Sequence, residues 1–184
     1  MRIALPAIAA ALLTACISQP DYREETAPPP TVASVDLQRY AGLWYEIARY
    51  PNSFERNCTG VTAEYALNDD GTVTVTNTCF RKSLDGEKDV ANGRARVVEG
   101  SNNSKLKVKF APSWVPFAEG DYWILALEDD YSAVLVGSPN GKYLWILARA
   151  PQLDTGTLDA LKNRARELGY DTAPLEMTVQ PEEG

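Results

Sequence analysis

Gly42-Leu43-Trp44-Tyr45 opens the first strand-like segment of the chain, and Leu147-Ala148-Arg149 ends the last one. These two stretches mark the first and the last strand of the predicted fold. The segments between them alternate between apolar and polar residues. Such alternation is typical of β-strands with one buried face, and Lys105–Phe110 shows it strictly, with a lysine at every second position. About eight such segments follow one another, separated by turn residues. The sequence therefore predicts one all-β domain, an eight-stranded up-and-down antiparallel β-barrel.

Three of the later segments are apolar on both faces, so their outer side needs a cover. They are Tyr122–Leu127, Ala133–Val136 and Tyr143–Ala148. The chain supplies one candidate, an amphipathic helix over Thr155–Leu168 with Asp154 as its N-cap and Gly169 at its end. We expect this C-terminal helix to pack on the outside of the barrel.

The two bracketing stretches and Asp130-Tyr131, in the turn before strand seven, resemble the signature of the lipocalin family. Taken alone, Trp44 is also consistent with an ordinary aromatic residue of a protein core. In lipocalins the tryptophan fills the barrel floor and the arginine packs across it. The resemblance therefore implies structural roles for the following residues: Gly42, Trp44, Asp130, Tyr131 and Arg149.

The resemblance extends over residues 35–179 and is strongest in 44–49 and 144–149. These residues are similar to bacterial lipocalins of the outer-membrane lipoprotein type, which are related to apolipoprotein D and to plant temperature-induced lipocalins. The similarity implies binding of fatty acids or lysophospholipids in the barrel. It also implies a role in lipid storage, transport or repair in the cell envelope.

The alternating strands predict which side chains line the ligand cavity, since every second residue points inward. The candidates are Tyr65, Val73, Val75, Leu106, Val108, Phe110, Tyr143 and Trp145. In strand six the inward residue is Tyr122 or Trp123, and Trp123 is taken as the candidate; a slip of one residue reverses the choice. A barrel filled by its own side chains would show the same pattern.

Three long connections, at about residues 50–58, 81–89 and 111–120, follow odd-numbered strands and so share one end of the barrel. We expect this end to be the mouth of the cavity. Phe54, Trp114 and Phe117 lie in these connections, and Trp114 and Phe117 are counted among the ligand-binding candidates unless their loop folds back over the strands. Basic residues near the rim, Arg49, Arg56 and Lys82, either meet an anionic head group or are scattered surface charge.

The first residues have the features of an export signal: Arg2, an apolar run too short to span a bilayer, and Leu13-Thr14-Ala15-Cys16. The last four resemble a bacterial lipobox, which implies cleavage of a signal peptide over residues 1–15 and acylation of Cys16. The alternative is a plain secretory signal. Ile17 replaces the aspartate that retains such lipoproteins at the inner membrane, so we expect the periplasmic face of the outer membrane.

Residues 16–34 are polar and rich in proline, with Pro28-Pro29-Pro30 at their centre. They contain too few apolar residues to form a core, and we interpret them as a tether that holds a lipocalin domain, residues 35–184, away from the bilayer.

Cys58 and Cys79 are the remaining cysteines, and they flank a turn at Asn68–Gly71 that joins two strand-like segments. In the resulting hairpin they lie nearly opposite each other, within disulfide distance. Because an exported compartment is oxidising, the sequence predicts a structural disulfide rather than two free thiols.

The composition argues against several functions. A net charge of −7 and the absence of a basic stripe exclude the usual nucleic-acid interface. The chain has no histidine, which removes the commonest catalytic base and metal ligand, so no enzyme activity, metal or cofactor is predicted. Two other classes stay open, a lipid- or isoprenoid-modifying lipocalin-type enzyme and a filled-barrel interaction protein of the envelope. The sequence does not indicate an oligomeric state.

Overall fold

The structure is a computed structural model, and it describes residues 19–110 and 119–182. Within these ranges the chain forms nine strands and two helices. Their bounds are α1 Leu37–Tyr40, β1 Gly42–Arg49, β2 Cys58–Leu67, β3 Val73–Arg81, β4 Lys88–Val97, β5 Lys105–Lys109, β6 Glu119–Leu127, β7 Ala133–Gly137, β8 Leu144–Ala148, α2 Thr155–Glu167 and β9 Glu176–Met177. No helix in this part of the chain is both long and apolar enough to cross a membrane.

The strands from β1 to β8 form a closed barrel. Consecutive strands from β1 to β8 pair antiparallel, and β8 closes the barrel by pairing with β1. β9 extends the sheet by pairing with Ala48 and Arg49 of β1. The predicted fold, an up-and-down antiparallel barrel with a C-terminal helix outside, is confirmed.

The two ends of the barrel differ. At one end, which we call the closed end, α1 and the first residues of β1 lie across the interior beside the turns at 68–72, 98–104 and 128–132. At the other, the open end, lie the connections at 50–57, 82–87 and 138–143. The long connections predicted at 50–58 and 81–89 are therefore at the open end. The third, 111–120, lies largely outside the described residues.

Arg149 fixes the closed end. Its guanidinium lies 3.9 Å above the ring of Trp44 and donates hydrogen bonds to four backbone carbonyls, those of Leu43, Arg39, Tyr40 and Ala41, at 2.7 to 3.0 Å. Trp44 is fully buried, and its indole N–H donates to the Tyr40 carbonyl at 2.7 Å. One cation thus satisfies the carbonyls that the end of α1 leaves without helical partners.

Gly42 and Tyr131 are two of the closed-end residues with a positive φ. Gly42 has φ +92°, a backbone conformation that favours glycine, whereas a Cβ there would make only an ordinary contact, 3.5 Å from Arg149 Nη1. Tyr131, with φ 64°, accepts a hydrogen bond on its hydroxyl from the Asp36 amide, and Asp130 accepts one from the Ser132 amide.

The helix α2 packs on the outer face of β6 and β7 and shares a core with the outward side chains of β8 and β1. Leu161, Ala165 and Leu168 pack onto this face, and Asp154 caps the helix by accepting a hydrogen bond from the Thr157 amide at 2.9 Å. This core outside the barrel contains Leu125, Ala133, Leu135, Leu144, Ile146, Ile47, Ala48 and Tyr50. It explains why the later strands are apolar on both faces.

Residues 19–35, which we call the N-terminal strap, differ from the predicted free tether. They lie along the barrel wall from the open end to the closed end. The Tyr22 amide donates to the Gly141 carbonyl at 3.1 Å, the Val32 amide to Ile124 at 3.0 Å, and the Val35 amide to Asn102 at 3.0 Å. Composition misled the prediction because a few backbone hydrogen bonds and one buried proline, Pro29, suffice to attach the strap.

Cys58 and Cys79 form a disulfide, as predicted, with their Cα atoms 5.4 Å apart. Cys58 is paired with Arg81 rather than Cys79, and an irregularity between Thr59 and Thr62 shifts the ladder. The bond joins β2 and β3 near the open end, where the sequence placed it.

We expect Arg149→Lys to lower the free energy of unfolding by about 2 kcal/mol, because an ammonium cannot serve four carbonyls and stack on Trp44 at once. Urea unfolding measures the change. Arg164→Lys, on the exposed side of α2, is the matched control and should cost less than about 0.5 kcal/mol. Equal losses in the two variants would show that Arg149 does not fix the floor.

Candidate functional site

The barrel interior contains a cavity of about 370 Å³ on the open-end side. Its size falls within the usual range for small-molecule sites, roughly 300 to 1,000 Å³. The lining residues are Glu46, Phe54, Glu55, Val61, Thr62, Ala63, Tyr65, Val75, Asn77, Val108, Phe110, Gly120, Asp121, Tyr122, Tyr143, Trp145 and Leu147. A second lobe of about 310 Å³ shares Phe54, Glu55, Val61, Asn77 and Phe110 and extends to the disulfide. The barrel is therefore not filled throughout.

Three tyrosines form the floor of this cavity. The Tyr122 hydroxyl lies 2.7 Å from the Tyr40 hydroxyl and 3.0 Å from the Tyr65 hydroxyl. Tyr40 comes from α1, so the short helix that closes the barrel also sets the depth of the cavity. Below the tyrosines only about 20 Å³ is left, and the space is otherwise packed.

The tyrosine hydroxyls stay protonated. Burial raises the pKa of Tyr65 to about 12, and it raises the pKa values of Tyr40 and Tyr122 well above 10. Three hydroxyls carry three protons, and the two hydrogen bonds within the group use two of them. One proton is thus left to donate to another acceptor, and Tyr65 and Tyr122 are the members of the group that line the cavity.

A buried charged cluster lies in one wall. Arg49 Nη1 donates to Glu46 Oε1 at 2.9 Å, Arg49 Nη2 donates to the Glu55 carbonyl at 3.1 Å, and Arg49 Nε lies 3.7 Å from Glu55 Oε2. Trp145 Nε1 donates to the same Glu55 oxygen at 3.3 Å. All three charged residues are buried, and Glu46 and Glu55 line the cavity.

An irregularity in β1 brings Glu46 and Arg49 together. The pairing of β1 with β8 shifts between Glu46 and Ala48, so strict alternation is lost there. Ile47 and Ala48 both pack in the outer core, while Glu46 and Arg49 both face the interior.

Burial in the cluster favours the protonated, neutral form of the Glu46 carboxyl. Burial, reinforced by the charge of Glu55, raises the pKa of Glu46 to about 8, although Arg49 opposes the shift. At pH 7 the cavity wall therefore carries less negative charge than its two glutamates suggest.

The segment after β9 supports this cluster. Thr178 Oγ1 accepts a hydrogen bond from Arg49 Nη1 at 3.1 Å, and Gln180 Nε2 donates to the carbonyls of Glu46 and Val61, both at 2.8 Å. Direct pairing of β1 with β2 stops at Tyr45 and Thr62. Gln180 bridges the two strands beyond that point, so the C-terminal segment completes the upper wall.

The structure brings six of the predicted lining residues into the cavity wall: Tyr65, Val75, Val108, Phe110, Tyr143 and Trp145. Val73 and Leu106 lie lower, around the small space beneath the tyrosines, because α1 inserts Tyr40 above them. Trp114, Phe117 and Cys16 lie outside the described residues.

The prediction that Trp123 lines the cavity is wrong. Trp123 faces outward, and Tyr122 takes the inward position. The Trp123 ring packs against the outer core, with Lys105 Nζ 4.1 Å from the ring centroid, and its N–H donates to Asp121 at 3.2 Å. Both faces of β6 are apolar, so the alternation of the sequence could not separate the two aromatics.

Of the basic residues predicted near the rim, Arg56 and Lys82 are exposed at the open end, whereas Arg49 is not. Arg49 is buried in the charged cluster, where Glu46 and Glu55 are its partners inside the wall. It is therefore unavailable as an exposed contact for a head group.

Sequence reasoning missed Glu46, Glu55, Asn77 and the tyrosine floor. A signal existed for Glu46, since it lies two residues after the buried Trp44 and alternation places it on the same face. Asn77 Oδ1 is buried without a hydrogen-bond partner among the described residues, although the residue lines the cavity. It is an acceptor that a ligand hydroxyl or amine could satisfy.

Comparisons with known proteins agree with this geometry. A model described as a lipocalin-like domain matches residues 35–180. An outer membrane lipoprotein named Blc from Vibrio cholerae is 38% identical over 173 residues, which cover 94% of this chain and 95% of that protein. Temperature-induced lipocalin-1 of Arabidopsis thaliana is 38% identical over 161 residues, 81% of each chain, and mouse apolipoprotein D is 32% identical over 178 residues, 93% and 90%.

Solved structures show the same fold at lower identity. Insecticyanin from the tobacco hornworm Manduca sexta superposes with a TM-score of 0.67 at 22% identity, covering 89% of this chain and 88% of that one. Lobster apocrustacyanin A1 has a TM-score of 0.64 at 20% identity, covering 90% and 94%. None of the relatives named here is described as an enzyme, which agrees with the prediction of a binding protein. On its sequence, its barrel and its Trp44–Arg149 closure, the chain belongs to the lipocalin family.

Proposed function

We propose that this lipocalin binds one single-chain lipid, a fatty acid or a lysophospholipid, in the cavity above the tyrosine floor. The observation that carries the proposal is the cavity itself, about 370 Å³ within a barrel whose other end is closed. Its lower wall, formed by Tyr65, Val75, Val108 and Leu147, is largely apolar, which favours an acyl chain over a polar solute.

The distribution of polar groups in the cavity determines which end of the lipid enters first. Glu46 and Glu55 lie in the wall, and the aromatic residues Phe54, Tyr143 and Trp145 lie together toward the open end, with Tyr143 stacked on Trp145 at 5.5 Å. An acyl chain enters methyl end first, because the carboxyl or phosphate of the reverse orientation would be buried without a cationic partner. The head group then remains at the open end.

The energetics are adequate for useful affinity. Each buried methylene contributes about 0.8 kcal/mol, so a chain that buries about ten of them gains roughly 8 kcal/mol before association costs. A gain of about 8 kcal/mol corresponds to a dissociation constant of roughly 1 μM. Part of it is lost on immobilising the ligand, so ten buried methylenes give a constant above about 1 μM, and each further buried methylene lowers it roughly fourfold.

Native mass spectrometry of the protein purified without detergent, followed by lipid extraction, tests the proposal. We expect a stoichiometric acyl lipid. Ala63→Trp, which fills the cavity from β2, should lower the affinity for added fatty acid and lysolipid at least about tenfold. Glu64→Trp, at the next and exposed position of β2, is the matched control and should bind normally. A folded wild-type protein that carries no lipid and rejects both ligands would refute the proposal.

The affinity for a fatty acid should fall as the pH rises from 7 to 9. Glu46, whose pKa is about 8, is mostly neutral at the lower pH and charged at the higher one, so it then repels the fatty-acid anion. Titration calorimetry at both pH values should show a loss of affinity for the wild type and little change for Glu46→Gln. Glu64→Gln removes the same charge from the outer surface and should behave like the wild type; a pH-independent wild type would contradict the role of Glu46.

We further propose that Cys16 is acylated and anchors the protein to the periplasmic face of the outer membrane. Leu13-Thr14-Ala15-Cys16 supports this, as do the relatives named outer membrane lipoprotein, which match at 36–38% identity over nearly the whole chain. Several acyl chains at one cysteine hold a protein stably, because each buried methylene adds to the membrane affinity.

Cys16→Ser should release the protein from the membrane fraction of the producing bacterium, and the mass of the wild type should exceed that of its polypeptide from Cys16 onward by the acyl groups. Fractionation and denaturing mass spectrometry measure the two effects. Cys58→Ser/Cys79→Ser controls for cysteine loss as such and should leave the anchor in place. A Cys16→Ser chain that stays with the membrane would exclude acylation as the attachment.

A further inference from the structure

The N-terminal strap begins at the open end of the barrel. Gln19 Nε2 donates to the carbonyl of Pro51, in the connection after β1, and lies 3.4 Å from the carbonyl of Lys142, in the connection after β7. Both carbonyls belong to the rim of the cavity. The first described residue of the chain is thus fixed beside the mouth, opposite the end that α1 closes.

The strap is attached closely at this point. Beyond the Tyr22 amide bond to Gly141, the Tyr22 ring lies 4.7 Å from that of Tyr50, and the Asp171 amide donates to the Tyr22 carbonyl at 2.8 Å. A Cβ at Gly141 would lie 2.6 Å from the backbone nitrogen of Arg23, so the turn leaves no room for a side chain under the strap. These contacts keep the start of the strap at the rim.

Covalent geometry then limits how far the anchor can be from the mouth. Cys16 precedes Gln19 by three residues, and three residues span at most about 10 Å even when fully extended. We propose that the short connection from an acylated Cys16 to Gln19 holds the open end of the barrel against the membrane surface. The proposal rests on the anchor put forward above. It differs from the expectation that a long, free tether holds the domain away from the bilayer.

Exposed apolar side chains agree with this orientation. Among the described residues, eight large apolar side chains are between 36% and 57% exposed. Two, Leu43 and Leu67, lie toward the closed end. The other six lie toward the open end or on the C-terminal segment beside it: Phe54, Leu84, Val90, Phe110, Met177 and Val179. An apolar rim beside a lipid anchor is suited to contact with a phospholipid surface, and we take that surface as the partner.

The orientation has a direct consequence for the ligand. With the mouth at the membrane surface, an acyl chain passes between bilayer and cavity without exposing its full length to water. A barrel held by its closed end would instead force each ligand across the aqueous phase, at about 0.8 kcal/mol for each methylene exposed.

Depth-dependent quenching tests the orientation on the full exported, acylated chain. A fluorophore is placed on Ser83→Cys, in the exposed connection after β3 at the open end, or on Asp69→Cys, in the exposed turn after β2 at the closed end. The two sites are separated by roughly the length of β2, about 30 Å. In phosphatidylethanolamine and phosphatidylglycerol vesicles with nitroxide-labelled head groups, we expect strong quenching at position 83 and almost none at position 69.

A linker variant tests whether the short connection from Cys16 to Gln19 holds the open end at the membrane. Insertion of about 20 Gly and Ser residues between Ser18 and Gln19 keeps the anchor and the strap but frees the barrel. Because the effective concentration of a tethered group falls with about the −3/2 power of linker length, quenching at position 83 should fall on the order of tenfold. Undiminished quenching in this variant would show that the short connection does not hold the mouth in place.

The mass of each labelled protein separates this proposal from the anchor on which it rests. A chain without acyl groups at Cys16 overturns both. An acylated chain whose position 69 is quenched as much as position 83, or more, overturns the orientation and leaves the anchor standing.

Discussion

The guanidinium of Arg149 is the constraint on which the rest of the barrel depends. It stacks on Trp44 and collects four carbonyls from α1 and the start of β1, so the end of a helix lies across the barrel without unsatisfied acceptors. Because α1 is held there, Tyr40 reaches into the interior and meets Tyr122. The closed end is thereby packed except for about 20 Å³, and the larger cavity lies in the open half.

The division of the interior into a packed closed end and an open cavity limits where polar side chains can lie. A cavity that opens at one end can place charged residues only where other protein groups pair them, since burial of an isolated charge is costly. Glu46, Arg49 and Glu55 meet this condition inside one wall, and Thr178 from the C-terminal segment accepts a further hydrogen bond from Arg49. The cluster stiffens the wall beside a cavity whose remaining surface is largely apolar, and this combination suits a ligand with a long apolar part and one polar end.

The fold could be predicted from the sequence because its main signals are local and periodic. Alternation placed Tyr65, Val75 and Val108 correctly, and the Trp44 and Arg149 stretches marked the two strands that meet at the closed end. Prediction failed where a tertiary contact or a ladder irregularity intervened. The irregularity after Glu46 turned Arg49 inward, and α1 raised the cavity floor above Val73 and Leu106. Trp123 and Tyr122 could not be told apart because both faces of β6 are covered.

The N-terminal strap shows why composition is a weak guide to the position of a tether. Its sequence is rich in proline and poor in apolar residues, yet a sheet that is already folded needs only a few contacts to bind it. The amides of Tyr22, Val32 and Val35 each find a carbonyl on the barrel surface, and the cost of ordering an already extended, proline-rich segment is small. A chain that needed only to connect an anchor to a domain would gain nothing from running the length of the wall. Docked in this way, the strap runs from the closed end, where α1 begins, to the open end, where Gln19 lies beside the mouth of the cavity.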